Sequence, residues 1–333
     1  MAPIVSVIVP AYNGGRYVTR CLKSLCNQSF NDIEIVVVDD GSTDNTASAV
    51  AGLMAADKRI KMLAHDRTCG EGAARRTGIL AAQGKYIAFL DTDDIFYRDA
   101  VASLYNAARQ YDCDITVGAS RLYFSHLHFS IGHYPGAGHP MFSQGLVSGR
   151  EGTQALLEAQ DIQCVCWDKL YRASLLKEIE VLPDVSVGPD FLINLSVFPK
   201  AGRIGSTYTE VCRWTYNGMG SKYYLLKWEE YLRSAKAAHS LIGTMRTDTP
   251  DMSVTAMYEW LGKGILNNLR ESCVQRILHG YKDEEILTVI RDTCREFDFV
   301  PDTDAVLFLA ESRRHLRNHR KFYNFTRLIN LLS

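Results

Sequence analysis

Asp91-Thr92-Asp93-Asp94 places three carboxylates within four residues, directly after the apolar run Tyr86–Leu90. Like charges this close repel, so the cluster holds a proton, loses stability or takes up a cation. Hard oxygen donors on a loop suit Mg²⁺ or Mn²⁺, which bind through one or two carboxylates plus substrate phosphates. A second acidic pair, in Asp39-Asp40-Gly41-Ser42, follows the apolar run Ile33–Val38. Taken alone, each cluster also fits an Asx turn that caps the next helix. Two such clusters at the ends of neighbouring strands favour a ligand site. Between them, Gly70-Glu71-Gly72-Ala73-Ala74-Arg75-Arg76 opens a helical pattern. Arg75 at a helix N-terminus is suited to a diphosphate, with a pairing to Asp66 or Glu71 as the alternative. The Gly-x-Gly lacks the third glycine of a dinucleotide fingerprint and follows a later strand, which argues against NAD. No Gly-x-x-x-x-Gly-Lys-Ser/Thr is present, which argues against a P-loop NTPase.

The elements that carry these residues are readable from periodicity. Val5–Val9, Ile33–Val38 and Tyr86–Leu90 are short, nearly continuous apolar runs, as expected of parallel strands buried on both faces. Ile60–Ala64 and Ile115–Val117 read as weaker strands. Helical spacing separates them in Val18, Cys21, Leu22, Leu25 and Cys26, in Ala47, Val50, Ala51 and Met54, and in Val101, Leu104, Tyr105, Ala108 and Tyr111. Ser42 and Thr43 before Asp44 offer an N-cap. Such alternation implies right-handed βαβ units in an open α/β sheet, where ligands gather at the carboxyl ends of strands.

Residues 119–222 lack clean alternation and read as loops and helices packed on the sheet. Residues 132–149 form an irregular loop, Thr153–Ala159 and Ala173–Ile179 short helices, and Pro183–Pro189 a loop before Phe191–Val197. Beyond residue 222, apolar stripes are helical: Trp228, Tyr231, Leu232, Ala235 and Ile242, then Met257, Trp260, Leu261, Ile265 and Leu269, then Phe325, Leu328, Ile329 and Leu332. A loop is expected over 246–253. The expected division is 1–118, 119–222 and a helical region 223–333.

Composition narrows the function. The chain has 333 residues, 47% hydrophobic and 23% charged, and a net charge of −1. That is the make-up of a soluble globular protein with no bulk electrostatic case for nucleic acid. Nine cysteines without a CxxC predict reduced thiols, in the cytoplasm, and not a disulfide framework. No apolar stretch reaches the roughly 18 residues that cross a bilayer. The N-terminal apolar run lacks a basic flank and ends at Pro10, against a secretory signal.

In order and spacing, the first hundred residues resemble the inverting GT-A glycosyltransferases of family 2. The resemblance rests on Val5–Asn13, Ile35–Asp44, Ala74–Gly78 and Gly84–Asp94, the last similar to the approach to a DxD metal motif. It continues in Trp167-Asp168-Lys169-Leu170-Tyr171-Arg172 and, more loosely, in Arg213–Lys222. Many relatives carry Glu-Asp after the first of these segments, with the Asp as catalytic base; here the pair is Pro189-Asp190. Many also carry Asn where this chain has Arg76. The resemblance implies a GT-A mostly parallel sheet flanked by helices, with a C-terminal helical extension. It implies a nucleotide-sugar donor, most often a UDP-sugar, and a glycan or lipid-linked saccharide acceptor of the bacterial surface type. Tyr12 would contact the base, with Pro10 and Ala11 shaping its pocket, and Asp40 would hydrogen-bond the base. Asp91 and Asp93 would hold the ribose and metal region, Asp93 and Asp94 the Mn²⁺ or Mg²⁺, and Asp190 would act as base.

A nucleotidyltransferase and a non-catalytic nucleotide-sugar-binding protein are the alternatives from other classes. Residues 311–333 carry five Arg and one Lys against one Glu, beside the last apolar stripe. A basic amphipathic helix of that kind either packs on the body or lies on an anionic membrane surface. His126, His128, His133 and His139 cluster in sequence, but no Cys or acid completes a zinc set.

Overall fold

The computed structural model describes residues 2–124, 129–133, 146–158, 164–179, 188–216, 228–248, 254–296 and 304–318. The chain divides into two compact units, one of residues 1–124 and 128–215, the other of 125–127 and 216–333.

The first unit is built on strands β1 (Val5–Ala11), β2 (Ile33–Asp39), β3 (Ile60–Ala64), β4 (Tyr86–Phe89), β5 (Ile95–Phe96), β6 (Ile115–Phe124), β7 (Phe129–His133), β8 (Leu146–Val147), β9 (Lys169–Arg172) and β10 (Ile204–Tyr216). Its helices are α1 (Val18–Cys26), α2 (Thr46–Ala56), α3 (Glu71–Ala81), α4 (Ala100–Tyr111), α5 (Gly149–Glu158), α6 (Ala173–Lys177) and α7 (Pro189–Val197). The main sheet runs β3-β2-β1-β4-β9-β6-β10-β5. β1, β2, β3 and β4 pair in parallel, with Val5 opposite both Ile33 and Tyr86. That register brings the ends of β1, β2 and β4, and so the acidic clusters, to one edge.

Every residue of β1 and β2 is buried, which is why these strands read as continuous apolar runs. Alternate side chains serve opposite layers. Val5, Val7, Val9 and Ala88 pack with Val18, Leu22 and Leu25 of α1 and Leu104 of α4. Ile8, Ile87 and Phe89 pack with Ile79 of α3 and with Ile193 and Val197 of α7. Gly78 lets α3 close on the sheet, because a Cβ there would stand 2.4 Å from Ile8 Cγ2.

Two local expectations change. The region 119–222 does not merely cover the sheet. It supplies β9, which pairs antiparallel with β4 and with β6, and the thirteen-residue β10, which pairs antiparallel with β5 and β8. The cap of α2 also differs. The helix begins at Thr46, because Ser42 Oγ accepts from Asn13 N at 2.9 Å and Asp44 accepts from Gly15 N at 3.0 Å and Thr46 N at 2.9 Å. The two side chains therefore tie the loop after β1 to the loop after β2.

In the second unit, the described residues form α8 (Trp228–Asp248), α9 (Val254–Leu278), α10 (Asp283–Glu296) and α11 (Ala305–Asn318). Leu269 and Cys273 of α9, Ile286 and Ile290 of α10, and Phe308 and Leu309 of α11 form its core. Among the described residues, no helix is long and apolar enough to cross a membrane. The stripe at Phe325–Leu332 and most of the basic tail lie outside the described residues.

Candidate active site

β1 and β2 end side by side, and Asp40 N donates to Ala11 O at 2.8 Å. Pro10 and Ala11 are buried within β1, whereas Tyr12 beyond it is 54% exposed. An exposed aromatic ring at this edge is a natural platform for a planar base.

Asp40 is buried with four donors around it. Oδ1 accepts from His65 Nδ1 at 2.6 Å and Cys69 N at 2.9 Å; Oδ2 accepts from Thr68 Oγ1 at 2.9 Å and Gly70 N at 2.8 Å. Burial works against its charge, but these bonds prevail and hold Asp40 below the ordinary carboxylate value. The segment 65–70 is thereby drawn over Gly41, whose φ of 71° suits glycine and where a Cβ would meet Arg67 C at 2.7 Å. Asp40, His65 and Cys69 bring ligand atoms within 4.8 Å of one another, yet the Asp40 oxygens are already fully served by hydrogen bonds.

The cluster after β4 is the opposite case. Asp94 is completely buried; Oδ1 accepts from Thr215 N at 2.7 Å, and Oδ2 has no hydrogen-bond partner among the described residues. Burial raises its pKa well above the ordinary value, and Asp93 and Asp91 add to the effect. Asp91 is partly exposed at its rim and accepts from Arg75 Nη2 at 2.9 Å. Burial of its carboxyl, opposed by Arg75 and reinforced by Glu71, Asp190 and Asp93, pushes it up to about 8. Arg20 of α1 steadies the loop, donating to Asp93 O at 2.5 Å. Crowded carboxylates with an unpartnered buried oxygen are the donor set a hard divalent cation satisfies.

Arg75 joins this cluster to Asp190. It is 1% exposed, and its guanidinium meets Glu71 Oε1 at 2.7 Å, Asp91 Oδ1 at 2.9 Å and Asp190 Oδ1. Burial disfavours the cation, but Asp190, Glu71 and Asp91 outweigh it and keep Arg75 charged. It sits 5.8 Å over the Phe89 ring. Asp190 lies in the first turn of α7, after Gly188 in the left-handed conformation and Pro189 at the helix start. Its Oδ2 accepts from Cys166 N at 2.9 Å, and its side chain is 17% exposed.

Asp91, Asp93, Asp94, Arg75 and Asp190 are thus one constellation, with Tyr12 and Asp40 on the same sheet edge. Arg75 pairs with Glu71, but from the interior. Sequence reasoning passed over Arg20, His65, Thr68, Cys166, Asn194 and Thr215. His65 had a signal, since it follows β3 as Asp40 follows β2. The Cys166 and Thr215 amides had none, because every residue but proline carries that donor. His126, His128 and His139, and the side chain of His133, lie outside the described residues.

The family model for glycosyl transferase family 2 matches residues 6–179. Glycosyltransferase GlyG of Streptococcus pneumoniae serotype 4 is 36% identical over 118 residues, 35% of this chain and 39% of that protein. The uncharacterized glycosyltransferase EpsJ of Bacillus subtilis is 32% identical over 209 residues, 61% of this chain and 58% of that protein. This chain therefore spans less than two thirds of these relatives. Among solved structures, S. aureus TarS in complex with UDP-GlcNAc superposes with a TM-score of 0.60 at 17% identity, over 94% of this chain and 92% of that one. The mannosyltransferase PcManGT of Pyrobaculum calidifontis, in complex with GDP-Man and Mn²⁺, gives 0.54 at 18%, over 100% and 85%. At such identities the likeness is one of fold, and the fold is GT-A.

Proposed function

Because this chain belongs to glycosyl transferase family 2, we propose that it moves a sugar from a nucleotide-sugar donor to a hydroxyl of a saccharide or lipid-linked acceptor, with inversion, in bacterial surface-glycan synthesis. The observation that carries the reading is Arg75. One buried guanidinium holds Asp91 of the metal-type cluster and Asp190 of α7 against each other. Donor and acceptor machinery thereby share one point.

Tyr12 offers its ring to the base, and Pro10 and Ala11 shape its pocket; Asp40, expected to hydrogen-bond the base, has both oxygens engaged by residues 65–70 and shapes the edge through that segment. Asp91 takes the ribose side, and Asp93 and Asp94 are the residues to hold Mn²⁺ or Mg²⁺. A divalent cation bound there supplies positive charge to the departing diphosphate. Arg75 keeps its charge near the same place; a direct diphosphate contact would need a phosphate oxygen to replace one of its three carboxylates. Each oxygen of Asp190 retains a second lone pair for the acceptor hydroxyl. As the hydroxyl attacks the anomeric carbon, its proton passes to Asp190, the C1–O bond to the diphosphate breaks, and the single displacement inverts the centre.

The named relatives and the complexes with UDP-GlcNAc and GDP-Man support a nucleotide-sugar donor, and UDP-sugars come first on the motif resemblance. The test is a panel of UDP-glucose, UDP-galactose, UDP-GlcNAc, UDP-GalNAc and GDP-mannose with Mn²⁺ and saccharide acceptors. Free nucleoside diphosphate is expected, and Asp190→Asn should lower kcat by about 10²–10⁴-fold while nucleotide binding survives. Release of pyrophosphate would mean nucleotidyl transfer, and binding without turnover a non-catalytic protein. Peripheral membrane contact through 311–333 is a separate part of the proposal. It predicts co-sedimentation with anionic vesicles that a 311–333 deletion abolishes.

A further inference from the structure

Asn194 is completely buried, one turn beyond Asp190 on α7, and its whole side chain is engaged. Nδ2 lies 2.9 Å from Asp190 O and 3.2 Å from each of Cys164 O and Val165 O, so its two N–H groups are shared among three carbonyls. Oδ1 accepts from Tyr171 Oη at 2.7 Å. Tyr171 lies on β9 and is itself fully buried, its ring edge-on to Phe89 at 5.9 Å. Lys169, also on β9, donates from Nζ to Val165 O at 2.7 Å and to Asp168 Oδ1 at 2.7 Å. Ile193 and Val197 of α7 belong to the same apolar cluster as Tyr171, so this polar pair is set in an otherwise apolar contact. Burying an amide and a phenol there costs free energy unless every bond is made.

The bonds converge on one object, the segment 164–166. Its last amide, Cys166 N, is the donor that fixes Asp190 Oδ2. We propose that Tyr171 and Asn194 form a positioning clamp that sets the direction of the Asp190 carboxylate for the transfer step. The hydroxyl of Tyr171 orients the Asn194 amide. That amide ties two carbonyls of the segment to the backbone of Asp190 itself. The Cys166 amide is then held at a fixed place against Oδ2, while Arg75 holds Oδ1 from the other side. With Oδ2 hydrogen-bonded to the Cys166 amide and Oδ1 against the Arg75 guanidinium, rotation of the carboxylate is restricted. A base misplaced by about 1 Å loses about 10²-fold in rate, so a clamp without contact to either substrate can govern kcat.

The clamp rests on the reading of Asp190 as base, and the experiment separates the two. Tyr171→Phe keeps the ring and removes only the hydroxyl; Asn194→Ala removes the hub. With the panel's donor and Mn²⁺, both variants should lower kcat about 10–100-fold, leave donor KM within about twofold, and leave binding of UDP (or GDP, if GDP-mannose is the donor) unchanged. Amide hydrogen exchange over 164–168 should speed up in both. In an Asp190→Asn background neither should lower the residual rate further, because the group they position is gone. Wild-type kcat in Tyr171→Phe, unchanged exchange over 164–168, or an equal further loss in the Asp190→Asn background would each overturn the clamp. If Asn194→Ala fails to fold, Tyr171→Phe carries the same test. Wild-type kcat in Asp190→Asn alone would overturn the base reading instead, with the exchange rates still deciding whether the clamp holds the segment.

Discussion

Asp40 and Asp94 are both buried aspartates at the carboxyl edge of one parallel sheet, and their surroundings are opposite. Asp40 has four donors for its two oxygens and is held below its ordinary pKa. Asp94 has one donor, the Thr215 amide, and two acidic neighbours, and is pushed well above it. The ends of β2 and β4, on either side of β1, therefore give the same residue type opposite surroundings. Asp40 is hydrogen-bonded to His65, Thr68, Cys69 and Gly70, the segment that leads into α3 and Arg75. The Asp91–Asp94 cluster is under-supplied with donors and suited to a cation brought from outside.

The contrast makes graded predictions. Between these two clusters the largest effect belongs to Asp93→Asn, which should lower metal-supported turnover by about 10²–10³-fold with the fold intact, measured as nucleoside diphosphate release at saturating Mn²⁺. Turnover within a few-fold of wild type would break the contrast. Asp40→Asn should instead cost about 2–3 kcal/mol of stability in a denaturant titration, because the buried donors of 65–70 lose a charged acceptor.

A third effect concerns pH and metal removal. Asp91 stands at about 8 in the fold against about 3.9 in an unfolded chain, so the folded state binds more protons between those values. In EDTA its contribution to stability is full near pH 4 and is lost as pH rises toward 8. Carboxylates held low, such as Asp57 at about 2 beside Arg59, titrate on the acid side of that window. Mn²⁺ should therefore raise Tm more at pH 8 than at pH 5, by about 2–4 °C for each 1 kcal/mol restored. A Tm shift independent of pH would show that the carboxyls are not protonated in the metal-free protein. The smallest effect is that of Thr68→Val, which removes one of four donors to Asp40 and should cost under about 1.5 kcal/mol.

The first half of the sheet was readable from sequence for a physical reason. β1 and β2 are buried on both faces, so burial wrote itself into continuous apolar runs, and β4 and the acids beyond it stood out against them. The other half follows a different logic. β10 carries buried polar residues, Ser206 and Thr215, and meets β6 through the Glu210–Arg121 ion pair at 2.5 Å. Its buried apolar residues, Ile204, Val211 and Cys212, are split between two cores and interrupted by polar positions, so they leave no continuous run to find. Asp91, Asp93, Asp94, Arg75 and Asp190 were each singled out by residue type and spacing, but that they lie together was not. Nothing in the order of residues says that Arg75 turns inward to join Asp91 and Asp190, or that backbone amides at Cys166 and Thr215 serve two of the acids.

Manganese binding followed by electron paramagnetic resonance locates the cation on the acidic cluster or away from it. Titrated with Mn²⁺ alone, wild type and Asp40→Asn should each bind one ion per chain, and Asp93→Asn should lose that site. Unchanged binding in Asp93→Asn, or loss confined to Asp40→Asn, would place the cation away from Asp91–Asp94.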